Sequence, residues 1–369
     1  MPIVRKIALF ASAAALLGTP ALAQAPDGLP DYYPQDYEQI VEGSRGEGGL
    51  VIYSNMAEYN WAPVIEGFNQ LYPWIEVSTL DLNSGEVFER YYAESASGTE
   101  TAGLLVSGAI DKWLEFDQRE AAVAYESPEL GELPDFAQAM PGVYTVSADP
   151  MVIVYNKHVL PEELWPAGFE ELVANAEANP DQFDGKVTTY HAAESSFGFS
   201  IAWAFERARG DLAWEGWEVL GPMTRAEPSS GPMLEKLTTG EYALGYFMSG
   251  IVLFPKLDEQ MQQIIGWNFF ADGTPLFIRS MGIPKDSSAP NSARLMLDYI
   301  LSSQGQLGFG KGGLTPYRED VPEEEVLGFT YQSVVEAIGG EENVILIDYD
   351  EEMLTKGEEF QKRWAATLQ

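Results

Sequence analysis

The chain of 369 residues has no cysteine, only two histidines, and 21 Lys plus Arg against 57 Asp plus Glu. Each shortage removes a class of protein. Without cysteine there is no disulfide framework, no thiolate metal site and no cysteine for a lipid anchor. His158 and His191, with no thiol to help them, make no zinc spacing, so no metal is expected. A formal charge of −36 repels nucleic-acid phosphates and anionic lipid alike, and neither is expected as a partner. An acid excess of this size reads as solvation in a saline medium, where screening lets carboxylates crowd. Also missing are the glycine-rich phosphate loops of nucleotide-binding enzymes and a nucleophile elbow: "AESSFGF" sets a serine near His191 but lacks the flanking glycines. No cofactor is expected.

What is present is an ordinary globular composition, 46% hydrophobic and 12% aromatic, enough for about two domains. The first residues are different. "MPIVRK" is basic, "IALFASAAALL" is an apolar run of 11 residues, and "ALA" at 21–23 is a small-residue cleavage site. That order describes a secretory signal peptide over residues 1–23 and an exported mature chain. No later segment reaches the ~20 apolar residues of a membrane span.

Beyond the leader, helical and strand patterns alternate. "LVIYS" is a buried strand, "WAPVIEGFNQLYPW" a helix with Trp61, Val64, Ile65, Phe68 and Leu71 on one face, and "IEVSTLDL" the next strand. "SGEVFERYYAESASG" is a helix with Ser84 at its N-cap, and "AGLLVSG" another strand. Such β-α-β units predict a mostly parallel sheet flanked by helices. "YTVSADPMVIVYNKHVLP" at 144–161 is a long strand interrupted at Asp149 and Pro150, a candidate crossing between two lobes; "DGTPLFIRSMGIP" at 272–284 is a second. "SARLMLDYILSSQGQLGFGKGG" predicts one helix ending on its glycines. "GYFMSGIVLF" at 245–254 has the apolar weight of a core strand broken by Ser249 and Gly250. The expected lobes are 24–148 plus 275–369, and 149–274, with a ligand cleft between them.

In open α/β sheets ligands gather at the carboxyl ends of strands. Serine occurs in six such loops here, which supply Ser54 and Asn55, Ser84, Ser107, Glu194 with Ser195 and Ser196, Ser229 with Ser230, and Ser249. Hydroxyls and N–H groups ahead of helices suit an anion, although the same residues cap helices for structural reasons. His191 joins this set as a residue at a strand end near a ligand loop, and Tyr155 as a hinge or ligand contact at the end of the crossing strand. Arg279 either pairs with an anionic ligand or forms a structural salt bridge. Trp61, Trp113, Trp203 and Trp267 sit in apolar patterns and are expected in the core.

The stretches "LVIYSNMAEYNWAPVIEGFNQLYPWIEV", "SGEVFERYYAE", "GEYALGYFMSG", "DGTPLFIRSMGIPKDSSAPNSARLMLDYILSSQGQ" and "GGLTPYREDV", in this order, resemble the extracellular solute-binding proteins of ABC importers, in the group that contains ferric-iron binders. The resemblance runs from about residue 49 to 321. It implies a two-lobed α/β binding protein, a monomer in the periplasm, that closes on a small solute and hands it to a membrane permease. Ferric binders of this group carry two adjacent tyrosines where spacing puts Gly250 and Ile251, and neither residue can ligate a metal. The Ser249–Gly250 break then reads as a small polar turn open to the cleft. An organic anion such as a sugar phosphate, phosphonate or carboxylate is the expected ligand. A ferric protein with a non-tyrosine oxygen site and a secreted α/β enzyme are the alternatives.

Exported protein is expected to begin near Gln24, which removes Arg5 and Lys6 and takes the formal charge from −36 to −38. Intact-mass measurement on secreted material checks this; retention of both bases counts against a cleaved leader.

Overall fold

Runs of β-branched and aromatic residues too short for helices become strands, and the amphipathic runs between them cover the sheet. The computed structural model describes residues 29–369, so the expected leader lies outside the described residues. The strands are β1 (Leu50–Ser54), β2 (Val77–Asp81), β3 (Leu104–Ser107), β4 (Gln138–Met140), β5 (Val143–Asn156), β6 (Val187–Tyr190), β7 (Thr224–Glu227), β8 (Leu244–Ser249), β9 (Ile265–Asn268), β10 (Thr274–Gly282) and β11 (Val344–Ile347). The ladder runs β2-β1-β3-β10-β5-β8-β6-β7. Strands joined by helical crossovers are parallel: β1 with β2 and β3, and β6 with β7 and β8. The long strands β5 and β10 run antiparallel to each other and to their neighbours β3 and β8, so the sheet is mixed where a mostly parallel one was expected.

β5 explains the two lobes. It is buried along its whole length, and Asp149 and Pro150 do not stop it. Residues 143–150 pair with β10, whereas 151–156 pair with β8 and β9. Proline has no N–H for a ladder, and Pro150 stands where the strand changes partners. The chain crosses back through residues 269–273, between β9 and β10. One core contains Ile52, Trp61, Phe68, Val106 and Leu297; the other contains Phe169, Trp203, Trp217 and Leu244. Each such side chain contributes ~1.5–3 kcal/mol when fully buried.

Two helical regions depart from expectation. The run after residue 290 is two helices, Pro290–Leu301 and Ser303–Lys311, because Ser302 adopts an extended conformation and its hydroxyl accepts the Gly305 N–H, starting a new helix. The C-terminal helix, Glu352–Thr367, was expected with lobe 1 but packs on lobe 2. Its Met353, Phe360 and Trp364 enter the core of the helices Ser196–Arg209 and Asp211–Leu220, with Phe360 5.4 Å from the Trp203 ring and 5.2 Å from Trp214. β11 lies parallel to the first residues of β10, and its Ile345 and Ile347 enter the same core as this helix, so the chain has crossed a third time before β11. Ser84 does not cap the helix Glu86–Ser97; Gly85 occupies the N-cap and the Ser84 carbonyl accepts the Ser107 hydroxyl.

Lobe 1 also contains a buried polar knot. Tyr37, Tyr125 and Ser127 all donate to the Asp298 carboxylate, while Tyr33 and Arg318 donate to Glu129. Burial pushes the Asp298 carboxyl up to about 7 despite its three donors, with Glu129 adding to the rise. An acid whose folded pKa is raised stabilises the fold below its unfolded value and loses that contribution as pH rises through the folded one. Stability is therefore expected to fall between about pH 4 and 7, with a limiting slope of ~1.4 kcal/mol per pH unit inside that window. Urea unfolding across that range measures it, and Asp298→Asn is expected to flatten the profile.

Candidate functional site between the lobes

β10 carries one base in a run of otherwise uncharged residues, and β5 carries one acid in a similar run. A buried charge must be paired, and these two are paired: Arg279 Nε donates to Asp149 Oδ2 at 3.4 Å, with both residues at most 1% exposed. Asp149 also accepts from the Ser147 hydroxyl at 2.8 Å and the Thr315 N–H at 3.0 Å. Burial pushes its carboxyl up and Arg279 draws it back. All of these contacts donate to it, which is the arrangement of a carboxylate. A bulge beside Arg279 turns the strand: Arg279 faces Ser147 and Ser280 faces Thr145, leaving Val146 without a ladder partner. Gln306 donates to the freed Val146 carbonyl at 2.8 Å.

The other side of the guanidinium faces lobe 1 loops. Arg279 Nη1 donates to Asn55 Oδ1 at 2.5 Å, and Gly108 N–H donates to the same oxygen at 3.2 Å. Asn55 thus commits its carbonyl oxygen to the protein through two donors. The guanidinium carries more N–H donors than Asp149 and Asn55 take up among the described residues.

Lobe 2 meets this centre through Phe197, in the first turn of Ser196–Arg209. Its ring stacks on Phe277 with centroids 4.3 Å apart, lies 5.0 Å from Tyr190, and has the Arg279 guanidinium 5.7 Å from its centroid. Glycine is required opposite it: a Cβ on Gly108 would stand 2.6 Å from Phe197 and 3.0 Å from Phe277. Behind Phe197, Tyr190 Oη and Ser230 Oγ are 2.5 Å apart, and Ser230 Oγ accepts the Ser249 N–H at 3.2 Å. Burial pushes the Tyr190 phenol up to about 12, so it stays neutral. The Ser249 hydroxyl is buried with no hydrogen-bond partner among the described residues.

The residues singled out in the sequence therefore divide. Asn55 meets Arg279 and Ser196 Oγ reaches Asp111 of lobe 1 at 3.5 Å, whereas Ser84, Ser107, Ser230 and Ser249 are buried, with the Ser107 hydroxyl committed to the Ser84 carbonyl and the Ala109 N–H. Ser54 is turned inward, its hydroxyl accepting from Trp61 Nε1 at 2.9 Å. Ser195 caps its helix by accepting the Gly198 N–H, and Ser229 occupies an N-cap without a side-chain bond. Tyr155 is at the other end of β5 from Pro150 and stacks on Trp165, which is packing. His191 faces the C-terminal helix, its ring 5.5 Å from Trp364 and its Nε2 3.7 Å from Glu194. Glu194, Ser195 and Ser196 line a separate cavity of about 270 Å³ against Asp111, Lys112 and the C-terminal helix. Trp61, Trp113 and Trp203 are buried as expected, and Trp267 is partly so. Tyr190, Phe197, Gly108 and Asp149 were not anticipated as site residues; an acid inside a buried strand was the available signal, and Arg279 on the other crossing strand its natural partner.

The 245–254 stretch is not an interrupted strand. β8 ends at Ser249, and Gly250–Leu253 is a helical turn, so "IVLF" packs as helix. The Ser-Gly pair is the strand-to-helix turn, and both residues are buried, with the Ser249 hydroxyl left without a partner among the described residues. Ile251 enters the lobe 1 core, and a Cβ on Gly250 would stand 2.6 Å from Phe254. The pair of positions that would have to hold phenolates is thus occupied by packing. Among the described residues no group of three or more His, Asp or Glu side chains could hold a metal ion.

A lobed α/β fold with a polar centre between its lobes defines a class of ligand-capturing proteins, and sequence comparison gives the family. Residues 53–307 match the bacterial extracellular solute-binding proteins, and the chain belongs to that family. No curated protein matches it in sequence. Among solved structures, it is similar to a substrate-binding protein of an ABC transporter from Agrobacterium tumefaciens, with 22% identity and a TM-score of 0.78 over 87% of this chain and 94% of that one. It is also similar to a periplasmic binding protein of Actinobacillus pleuropneumoniae solved with fructose-6-phosphate, at 20% identity and a TM-score of 0.67 over 86% and 97%. The apo ferric ion-binding protein A of Pasteurella haemolytica aligns at 18% identity and a TM-score of 0.62 over 87% and 96%. These likenesses establish the two-lobed periplasmic-binding-protein fold.

Gly108→Ala is expected to hold the lobes apart, since its methyl group meets two stacked rings. Small-angle scattering of the ligand-free variant should give a larger radius of gyration than wild type, with the two melting temperatures within a few degrees.

Proposed function

We propose that this protein is a periplasmic receptor that captures a small organic anion between its lobes and delivers it to the permease of an ABC transporter. The observation that carries the reading is the buried Arg279 guanidinium, bonded to Asn55 of a lobe 1 loop and lying 5.7 Å from the Phe197 ring of lobe 2. An ion buried there binds a complementary charge more strongly than it would in water. Ser84 and Ser196 are the further polar candidates, since the Ser107 hydroxyl is committed to Ser84 and Ala109. The partner change of β5 at Pro150 and the return through residues 269–273 support a hinge at those points, with the lobes dividing near 149 and 274. A receptor of this kind works as a monomer, needs differential affinity for open and closed states, and turns nothing over.

The reading is tested by thermal-shift screening of organic anions, neutral sugars and Fe³⁺ on purified protein. An anion at about a hundred times its dissociation constant adds roughly 2.7 kcal/mol, and the anion should be recovered unchanged. Ser249→Ala and Asn55→Ala are each expected to weaken it by ~1.5–3 kcal/mol, the value of a hydrogen bond to a charged group. Tight Fe³⁺ binding with no response to any anion would replace this reading by the ferric one. The net charge of −36 opposes an incoming anion, so the association rate measured by stopped flow should rise with added salt.

A further inference from the structure

The charge already present around Arg279 narrows the ligand, granted the organic-anion reading above. The guanidinium is not a free cation. Asp149 is buried against its Nε, and Asp81, at the end of β2, lies within Coulomb reach of it. Lys112, the base on the helix Ile110–Gln118 that faces lobe 2, is held by Glu115 at 2.8 Å and Asp111 at 3.5 Å. The remaining attraction for an anion comes from N–H and O–H dipoles: the Asn55 amide, the unpartnered Ser249 hydroxyl, and the first turn of the helix Ser196–Arg209, equivalent to roughly half a positive charge. A doubly charged group would enter a centre in which Arg279 is balanced by Asp149 and Asp81 stands nearby.

We propose that the solute meets Arg279 through a singly charged carboxylate, and that Asp149 is the specificity-determining residue that disfavours doubly charged phosphate esters. Geometry agrees with charge. With Nε donating to Asp149 and Nη1 to Asn55, the guanidinium keeps further N–H donors, and a pair of these suits a planar carboxylate bidentately. Such an arrangement discriminates by leaving the second charge of a phosphate unmatched in a site shielded from water.

The test uses the full mature protein and a panel of C2–C6 hydroxycarboxylates, the phosphate esters of the same carbon skeletons, and the neutral polyols, titrated by calorimetry at pH 8 and pH 5. A phosphate ester loses its second charge near pH 6. The carboxylates are expected to bind at both pH values, whereas each ester should bind at least about tenfold more weakly than its carboxylate at pH 8 and recover at pH 5. Asp149→Asn should shift preference toward the esters by about tenfold; if that variant does not fold, the wild-type pH profile decides alone. An ester tighter than its carboxylate at pH 8 overturns this inference and leaves the organic-anion reading standing. Binding by neutral polyols only, or by nothing in the panel, overturns both.

Discussion

The ion pair between Arg279 and Asp149 fixes more of this molecule than its size suggests. It joins the two strands that cross between the lobes, and it does so one residue before Pro150, where β5 exchanges β10 for β8 and β9. A slip of one residue in the β5–β10 pairing would put the two charges on opposite faces of the sheet. Removing either partner would strand a buried ion, at about 3–5 kcal/mol. The pair, the Val146 bulge and the Gln306 bond to the bulged carbonyl therefore act together. They set which way Arg279 points and where the lobes diverge.

Two chemistries are represented among the structural neighbours: one was solved with fructose-6-phosphate, and another is a ferric ion-binding protein. Phenolate ligation would need side chains where Gly250 closes on Phe254 and Ile251 fills the lobe 1 core. The anion proposed above would need donors, and Asn55 after β1 and Arg279 on β10 are brought into contact. The packing of the helical turn after β8 and the polarity of the strand ends thus point the same way, although they arise from different segments.

Much of the fold was legible because burial writes a period into the sequence. β1, β2 and β3 with the helices between them lie within a few residues of their expected positions, since each carries its own alternation and its own terminators. What failed depends on tertiary context. "IVLF" could be strand or helix on local grounds, and only the turn at Ser249 decides it. The C-terminal helix has an evident apolar face, but no local feature says that its slot is in lobe 2. The candidate site was half visible for a similar reason. Ser249 and Ser230 look no different in sequence from Ser54 and Ser195, whose oxygens are used by Trp61 and by a helix terminus. Asp149 and Arg279 were the more distinctive signals, because charge inside an apolar strand demands an explanation that a serine in a loop does not.

The third crossing has a mechanical consequence. Two strands passing between rigid bodies define an axis and leave rotation about it free. A further strap lying off that axis converts part of the rotation into stretching or bending of the strap. Here the strap is the stretch between the helix Ser303–Lys311 and β11, whose Ile345 and Ile347 share a core with Phe360 and Trp364, and Tyr349 just beyond it is bonded to Ser280 at 2.5 Å. Lobes turning about the two strands would have to carry that stretch with them, so the widest opening would depend on its slack as well as on the pivot.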